Sequence, residues 1–434
     1  MKRVSRMLRA LRVPFFRRPP SPARQFPPGP LLDPMDKVEE EKLAWYSHDN
    51  FFPVKIGDVF QSKYQVVGKL GYGGYSTVWL CRDLEHREHV YVTLKLYERD
   101  STHAEREIQV YEYLKRLKSC HAGTVLVRTV LDKFQLSSAD GSHFYQCLVH
   151  PPLGMSLFEL RNRCPRRVFP ETLLKPTLIH ILLALDFLHA EAHVVHTDIQ
   201  EKNIMLNIED DSILVDFEEA EILNPSPHKL VGDRAIYHSR KLGIPKKHGR
   251  PVLSDFGEAR FGSESGTYCD DVQPFMYRAP EVLLRMPWNE KIDIWNLAVV
   301  AWDLFEQGHL FYAQDEDKHD SDSHHLAEMI AYLGPPPREM LEKSEYANKF
   351  FDSSGKAHQV LVSFFSVRVS DPWKIGKWKC SAEIPLTSLE AIESNLQGEQ
   401  QENFLRFIRK MLQWRPEDRP TAKELLSDPW LRST

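Results

Sequence analysis

Two short stretches hold the residues whose types and spacing are best suited to chemistry. In the first, His196-Thr-Asp-Ile-Gln-Glu-Lys-Asn203, Asp198 can accept a hydroxyl proton and Asn203 can bind Mg²⁺ through its side-chain oxygen. In the second, Ser254-Asp-Phe-Gly257, Asp255 offers a further oxygen ligand for Mg²⁺. A base and two metal ligands are groups that phosphoryl transfer to a hydroxyl requires. Each stretch alone arises easily by chance, so the prediction depends on the elements around them.

A glycine-rich turn precedes these stretches and lies between two predicted strands. Its sequence, Gly71-Tyr-Gly73-Gly-Tyr-Ser76, has a serine where the phosphate-binding pattern G-x-G-x-x-G has its third glycine. Because glycine has no Cβ, backbone amides at such a turn can approach a phosphate closely. A glycine hairpin alone is more often an ordinary turn. Gly71, Gly73 and Ser76 indicate phosphate binding only in combination with the lysine on the next strand.

That lysine, Lys95, follows the turn on a third predicted strand, where it can hold the phosphates of a nucleotide. A helix is predicted over 102–118, beginning with a capping box formed by Thr102 and Glu105. Glu107 lies on the apolar face of this helix. Burying a carboxylate without a partner is costly, so we expect Lys95 to pair with it. The alternative is that Glu107 lies at the edge of the apolar face, in solvent.

The segment between the two stretches contains a second candidate for the metal-binding aspartate. Asp216-Phe-Glu218 resembles the beginning of Asp255-Phe-Gly257 but lacks its glycine. An Ala279-Pro-Glu281 sequence follows downstream of the second aspartate. We therefore predict that Asp255 binds the metal and that Asp216 is a chance match.

Length and composition indicate a globular protein with a sizeable core. The length of 434 residues would allow two or three domains. The hydrophobic content of 42% is enough for a sizeable core. Its net charge of −5 gives no general reason to expect direct nucleic-acid binding. Six scattered cysteines lack metal-ligand spacing, so neither zinc nor disulfide bonds are expected. The most apolar runs, 178–188 and 294–305, are too short to span a bilayer and predict buried core helices without a transmembrane segment.

The N-terminus differs in character from the rest of the chain. Residues 1–32 are rich in arginine and proline and contain no acidic residue. An Arg-rich, acid-free, amphipathic start is typical of a mitochondrial presequence, whereas its prolines favour a disordered basic tail. Both interpretations stay open. The expected location is the cytoplasm and nucleus, with mitochondrial targeting by residues 1–32 as the alternative.

Taken together, the motifs between about Pro53 and Trp430 resemble those of eukaryotic protein kinases. Within that superfamily the chain resembles the serine/arginine-rich protein kinases, in the form common in fungi. The sequences that carry the narrower resemblance are Pro53-Val-Lys-Ile-Gly-Asp-Val-Phe60, Ser76-Thr-Val-Trp79, His196-Thr197-Asp198 and Tyr277-Arg278. That family also carries a spacer ahead of Asp-Phe-Gly, and residues 208–250 are similar to a much shortened version.

The resemblance implies an α+β, two-lobed protein-kinase fold with a mostly β N-lobe and a mostly α C-lobe. It places the N-lobe at 58–150 and the C-lobe at 151–432, after a tail over 1–52. It also implies the following roles: Asp198 as base, Asn203 and Asp255 on Mg²⁺, Lys95 and Glu107 at the phosphates of ATP, Gly71, Gly73 and Ser76 in the phosphate turn, and Leu70 and Val78 around adenine. Two structural anchors follow as well: Glu281 paired with Arg419, and Asp293 bracing the catalytic loop.

The implied function is ATP-dependent phosphorylation of serine or threonine in a protein substrate, expected to be rich in arginine and serine and related to mRNA splicing. We expect a monomer. The alternative is a pseudokinase that binds nucleotide or partners without transferring phosphate, because Ser76, Thr93 and Gln200 depart from the kinase pattern. Gln200 stands where serine/threonine kinases have a lysine, and we hypothesise that Lys202 supplies the missing cation. Otherwise Lys202 points to solvent.

Two further hypotheses concern regulation and substrate. Thr197 replaces the arginine that binds a phosphate on the activation segment, residues 255–281, in many kinases. Activity is therefore expected without phosphorylation at Ser263, Ser265, Thr267 or Tyr268. Separately, an acidic run could attract an arginine-rich substrate, although such a run is usually only a solvated loop. It comprises Asp315, Glu316, Asp317, Asp320 and Asp322.

Overall fold

The computed structural model describes most of the chain from residue 21 onward. The described ranges are 21–86, 90–138, 140–232, 234–245, 247–352 and 377–433. Residues 1–20, which hold most of the predicted presequence or basic tail, lie outside the described residues.

A six-stranded antiparallel sheet forms the first lobe. Its strands are β1 (Val59–Phe60), β2 (Tyr64–Tyr72), β3 (Ser76–Asp83), β4 (Tyr91–Arg99), β5 (Asp132–Ser137) and β6 (Phe144–His150), in the order β1-β2-β3-β4-β6-β5. Because side chains alternate along a strand, Leu94 and Leu96 enter the core on one face of β4 while Thr93 and Lys95 lie on the other. Val78 on β3 is paired with Lys95 and shares that second face.

Helix α1 (Thr102–Arg116) follows strand β4. The cap at its N-terminus is not the predicted capping box. The N-cap is Ser101, which has an extended backbone and accepts the N–H of Ala104 through its hydroxyl. Thr102 is already helical, so it cannot occupy the cap position with Glu105 as its partner. The buried face of the helix is nevertheless the predicted one, because Glu107, Val110 and the other buried residues lie on the same side.

The second lobe is mostly helical. Its helices are α2 (Leu157–Arg161), α3 (Glu171–Asp186), α4 (Ser212–Leu223), α5 (Pro280–Leu283), α6 (Lys291–Phe305), α7 (Asp322–Leu333), α8 (Arg338–Glu342), α9 (Leu389–Ile392), α10 (Glu399–Met411), α11 (Ala422–Leu425) and α12 (Pro429–Arg432). Every residue of α6 from Ile292 to Phe305 is buried, as predicted for this apolar run. Within the described ranges, one helical stretch, Glu171–Glu191, is long and apolar enough to cross a membrane. Its Leu178, Leu182 and Leu185 are buried in the lobe's core, which identifies a core helix.

Short strands outside the six-stranded sheet include those that flank the chemically promising residues. They are β7 (Leu153–Ser156), β8 (Val194–Val195), β9 (Ile204–Ile208), β10 (His228–Val231), β11 (Arg234–Tyr237), β12 (His248–Leu253), β13 (Arg260–Phe261), β14 (Phe351–Asp352) and β15 (Lys377–Trp378). The sheet β12-β9-β7 and the pair β13-β8 are antiparallel. The first predicted stretch therefore lies between β8 and β9, and the second between β12 and β13.

The insert at 208–250 and the N-terminal segment both pack on the first lobe. Phe217 of α4 is buried against β2, where a Cβ added to Gly68 would lie 2.8 Å from its ring. From the N-terminal side, Glu39 and Glu40 reach the buried ammonium group of Lys69 at 3.3 and 2.5 Å. Residues 21–52 thus form part of the folded lobe and not a separate tail. Asp216 lies within α4 of this insert.

Candidate active site

The loop between β8 and β9 presents Asp198 with its carboxylate oriented by two amides. Nε2 of Gln200 donates to Oδ1 at 2.7 Å, and Nδ2 of Asn203 donates to Oδ2 at 2.6 Å. The same Asn203 nitrogen also donates to the backbone oxygen of Asp198 at 3.0 Å. These bonds use the amide nitrogen of Asn203, which leaves its side-chain oxygen for a metal ion.

Asp293 fixes the backbone of this loop from the buried helix α6. Its Oδ2 accepts the N–H of His196 and its Oδ1 accepts the N–H of Thr197, both at 2.8 Å, and His189 donates to Oδ2 at 2.9 Å. Thr197 has a φ of 67°, which an L-residue adopts only when its surroundings enforce it. The predicted anchoring role of Asp293 is confirmed by this geometry.

Lys95 lies between two carboxylates and connects the lobes. Its Nζ donates to Oε2 of Glu107 at 2.8 Å and to Oδ1 of Asp255 at 2.9 Å. The predicted pairing of Lys95 with Glu107 is confirmed, and the solvent-exposed alternative for Glu107 is excluded because its side chain is buried. The Tyr97 hydroxyl also donates to Oε2 of Glu107, a contact that the sequence did not reveal.

The environment shifts the pKa values of these groups in directions that suit phosphoryl transfer. Burial, with the nearby charge of Asp255, raises the pKa of Asp198 to about 7, although the bonds from Gln200 and Asn203 oppose the shift. Burial acts to raise the pKa of Asp255 too, but the ammonium group of Lys95 holds that pKa below its ordinary value. Asp255 therefore stays ionised while Asp198 titrates near neutral pH.

Mg²⁺ and the phosphates of ATP fit the groups present. Lys95 binds Oδ1 of Asp255, which leaves Oδ2 for the metal. Together with Asn203, Asp255 offers the hard oxygen donors that Mg²⁺ prefers. The site can therefore hold Mg²⁺ beside Asp198 and Lys95.

The glycine-rich turn lies at the end of β2 and the start of β3, on the side of Lys95. The N–H of Gly73 donates to the backbone oxygen of Ser76 at 2.8 Å and closes the turn. Ser76 itself is buried, whereas a Cβ at Gly71 would meet nothing within 4 Å. Leu70 and Val78 are half-buried, as residues lining a nucleotide pocket should be. The structure thus brings the predicted nucleotide-binding residues to one side of the sheet.

Lys202, in the catalytic loop, lies beside α2. Its side chain is exposed, and its Nζ lies 5.5 Å from the ring centroid of Phe158 on α2. Its neighbour Glu201 is buried and forms a two-point ion pair with Arg161, at 2.6 and 2.9 Å. This ion pair fixes the loop against α2, and no local sequence pattern pointed to it.

The activation segment is fastened to the C-lobe at its end. Glu281 and Arg419 form two parallel hydrogen bonds of 2.6 and 2.7 Å, which confirms the predicted pair. Nearby, the hydroxyl of Tyr277 donates to the buried Asp303 at 2.6 Å. These contacts hold the end of the segment against α6 and Arg419.

Comparison with known proteins agrees with this geometry. The family described as "Protein kinase domain" matches residues 64–239 and 244–431. A serine/threonine protein kinase of Aspergillus fumigatus is 43% identical over 422 residues, covering 96% of this chain and 97% of that protein. The serine/threonine-protein kinase SRPK of Physarum polycephalum is 29% identical and covers 93% of each chain. SRSF protein kinase 3 of Sus scrofa is 23% identical, covering 95% of this chain and 94% of that protein.

The fold agrees as well. A kinase domain solved by crystallography superposes with a TM-score of 0.63 at 23% identity, covering 89% of this chain and 100% of the solved chain. The two-lobed α+β arrangement expected from the sequence is therefore confirmed.

Proposed function

The chain belongs to the protein kinase family and is a serine/threonine protein kinase, and from this premise we propose that it phosphorylates serine in proteins rich in arginine and serine. The observation that carries the proposal is the match along nearly the whole chain to kinases named SRPK and SRSF protein kinase 3. A role related to mRNA splicing belongs to the same proposal. The sequence marks at residues 53–60 and 196–198 support it.

In the proposed mechanism, Asp198 would accept the proton of the substrate serine as the serine oxygen bonds to the γ-phosphorus of ATP and ADP leaves. Asn203 and Asp255 would hold Mg²⁺, which would supply positive charge to offset that of the phosphates. Lys95, positioned by Glu107, binds phosphate oxygens, and the turn around Gly71 and Gly73 covers them. The pseudokinase alternative is not favoured, because the ion pair of Lys95 and both oxygen ligands are assembled around Asp198.

Labelled ATP, Mg²⁺ and an Arg-Ser repeat peptide test this proposal directly. The wild-type enzyme should label the peptide, and the Asp198→Ala variant should not, because the variant lacks the base. A matched peptide with lysine in place of arginine should be a poorer substrate, since lysine keeps the charge but loses the planar guanidinium. Equal labelling of both peptides would contradict the proposed substrate class while leaving the kinase activity intact.

The pH dependence of the reaction should reflect Asp198. Because its pKa is about 7 and only the carboxylate accepts a proton, kcat/KM for ATP should rise through pH 7 and level off above it. The Gln200→Ala variant loses a hydrogen bond that stabilises the carboxylate of Asp198. The pKa of Asp198 should therefore rise, and the increase in kcat/KM should occur at higher pH. Gln109→Ala, which alters an exposed glutamine on α1, is the control. If kcat/KM of Gln200→Ala rises at the same pH as that of the wild-type enzyme, this hydrogen bond does not set the pKa of Asp198.

The acidic run near α7 is proposed to attract arginine-rich substrates. Asp315 accepts backbone N–H groups within its own loop and Asp322 accepts the hydroxyl of Tyr346, so these two have structural partners. The others, Glu316, Asp317 and Asp320, are exposed. They are the carboxylates best placed to meet a substrate.

Neutralising these three residues to amides should raise KM for an Arg-Ser peptide by about tenfold at low ionic strength, and less at high salt. Steady-state kinetics at two salt concentrations measures the effect. A control removes the same charge from the exposed Glu399, Glu402 and Glu417 elsewhere on the C-lobe. If both triple variants change KM equally, or neither changes it, the run is only a solvated loop.

Activity is proposed to be independent of phosphorylation in the activation segment. The two arginines there already have carboxylate partners: Arg260 contacts Asp270 at 2.5 Å and Arg278 contacts Asp271 at 2.9 Å. A phosphate would have to displace these partners. The segment is therefore ordered by groups of this chain.

Removing the four candidate phosphate acceptors Ser263, Ser265, Thr267 and Tyr268 should consequently change kcat by less than about twofold, the scale of exposed-charge effects. The variant combines Ser263→Ala, Ser265→Ala and Thr267→Ala with Tyr268→Phe. Phenylalanine is chosen at the last position because that ring stacks on Trp288, with 4.9 Å between centroids. Phosphatase-treated wild-type enzyme provides the parallel measurement. Loss of activity in either preparation would contradict the proposal.

A further inference from the structure

Glu258, the residue after the second stretch, contacts two separate parts of the active site. Its carboxylate accepts from two residues of α1, Nε2 of His103 at 2.7 Å and Nη1 of Arg106 at 3.1 Å. Its backbone oxygen accepts the hydroxyl of Thr197, in the catalytic loop, at 2.7 Å. One residue therefore joins the beginning of α1 to the loop that carries the base.

The position of α1 matters because the helix carries Glu107. Residues four apart lie on the same helix face, so His103 and Glu107 point to the same side. Arg106 adds a second link, because its Nη1 also donates to the backbone oxygen of Gly257 at 2.8 Å. A shift of the first turns of α1 away from the activation segment would carry Glu107 away from Lys95, which it contacts at 2.8 Å.

The same histidine reaches the phosphate-binding turn. The ring of Tyr75, within the glycine-rich turn, stacks on His103 with 3.8 Å between centroids and 15° between planes. Glu258 fixes the edge of the imidazole and Tyr75 covers its face. The turn, α1 and the activation segment thus meet at one side chain.

Glu258 keeps its negative charge in this setting. Burial acts to raise its pKa, but the hydrogen bond from His103 and the charges of Arg106 and Arg260 lower the pKa below its ordinary value. The cations that face the segment from α1 are therefore matched by a carboxylate of the segment itself. No added phosphate is needed to hold α1 in place.

We propose that Glu258 is a positioning residue that supplies, from within the chain, the negative charge that holds α1 and the phosphate-binding turn against the activation segment. It acts through His103 and Arg106 on the pair formed by Lys95 and Glu107. Its removal therefore weakens ATP binding and lowers turnover without changing contacts to the protein substrate. The inference rests on the kinase activity of the family and not on the proposed substrate class.

The test compares Glu258→Gln with the wild-type enzyme in three measurements. Glutamine keeps the size of the side chain but removes its charge. We expect kcat to fall and KM for ATP to rise, together lowering kcat/KM for ATP about tenfold, the scale of coupling in one ion-pair network. KM for the Arg-Ser peptide and the urea midpoint of unfolding should not change. Hydrogen exchange should become faster within α1, residues 102–116.

Two matched variants sharpen the test. Glu258→Asp keeps the charge on a shorter side chain and should recover part of the lost kcat/KM. Glu105→Gln removes an exposed carboxylate from the same helix and should have no effect. If Glu258→Gln matches the wild-type in kcat, KM for ATP and exchange, the proposal is overturned. It is equally overturned if Glu258→Asp and Glu258→Gln are impaired alike and both unfold at lower urea, because the role is then general packing.

The proposal can still be tested if the Glu258→Gln variant does not fold or if the wild-type enzyme does not label the peptide. Should Glu258→Gln fail to fold, Arg106→Gln removes the partner charge instead; faster exchange across α1 supports the proposal and unchanged exchange overturns it. Should the wild-type enzyme not label the Arg-Ser peptide, the substrate class is wrong. ATP affinity measured by calorimetry, together with the exchange of α1, then decides the role of Glu258 by itself.

Discussion

Replacing Glu281 by glutamine should lower the free energy of unfolding of the C-lobe by roughly 3–5 kcal/mol, the cost of breaking a buried ion pair from one side. The Glu281 and Arg419 side chains are 1% and 0% exposed and share two parallel hydrogen bonds. Glutamine fits the same space but turns an N–H group toward the guanidinium. The buried positive charge of Arg419 is then uncompensated.

Arg419 cannot relieve this cost by moving to solvent. Its Nε donates to the backbone oxygen of Gln413 at 3.0 Å, and its Nη1, which also bonds Glu281, donates to the backbone oxygen of Lys291 at 3.1 Å. Its guanidinium also lies over the ring of Trp295, 5.1 Å from the centroid. These contacts hold the charge in place whether or not the carboxylate is present.

Urea unfolding followed by tryptophan fluorescence measures the loss as a shift of the transition midpoint. Glu342→Gln is the control, because Glu342 pairs with Arg338 at 2.7 Å but is 58% exposed. That variant should change the free energy of unfolding by less than about 1 kcal/mol. If both glutamine variants shift the midpoint by the same amount, burial does not set the strength of the Glu281 pair.

The sequence predicted the chemical centre well because the relevant residues lie at short, fixed spacings on regular elements. Alternation along β4 places Lys95 opposite the core, and helical periodicity places Glu107 on the buried face of α1. Those two rules alone bring the ammonium and carboxylate groups together. The loop from His196 to Asn203 is equally local, since Asp198 is oriented by residues two and five positions later.

The sequence did not predict the contacts that depend on distant parts of the chain. Neither the packing of α4 on Gly68 nor that of Glu39 and Glu40 on Lys69 leaves a periodic signal in the sequence. The cap of α1 was misplaced by one residue because Ser101 and Thr102 are both suitable cap residues and only the backbone conformation distinguishes them. The contacts of Glu258 with α1 were missed for a similar reason, since His103 and Arg106 lie more than a hundred residues earlier.

Lys202→Ala should lower kcat by roughly two orders of magnitude or more, the effect of removing one transition-state donor. Gln200 occupies the position where serine/threonine kinases carry a lysine for the transferring phosphate, and its amide is neutral. Many tyrosine kinases place their positive residue at the position that Lys202 occupies, as an arginine. We propose that Lys202 provides the cation for the γ-phosphate in this enzyme.

In this structure Lys202 is exposed beside α2, so the proposal requires its ammonium group to turn toward the γ-phosphate. Its ammonium group lies over the ring of Phe158, a contact of modest strength at an exposed site, so binding of ATP and Mg²⁺ can draw it away. Gln200 meanwhile donates to Oδ1 of Asp198 and cannot supply charge. If Lys202 rests on Phe158 only between turnovers, Phe158→Leu should leave kcat close to the wild-type value.

Kinetics with the Arg-Ser peptide measures the loss, and calorimetry shows whether Lys202→Ala still binds ATP. Lys423→Ala, which removes an exposed lysine elsewhere on the C-lobe, is the control and should behave as wild type. A lysine at either loop position should serve the same phosphate, so adding Gln200→Lys to Lys202→Ala should restore most of the lost turnover. A Lys202→Ala enzyme with wild-type kcat would contradict the proposal. So would a double variant as slow as Lys202→Ala itself, because the loss would then come from the loop's structure and not from its charge.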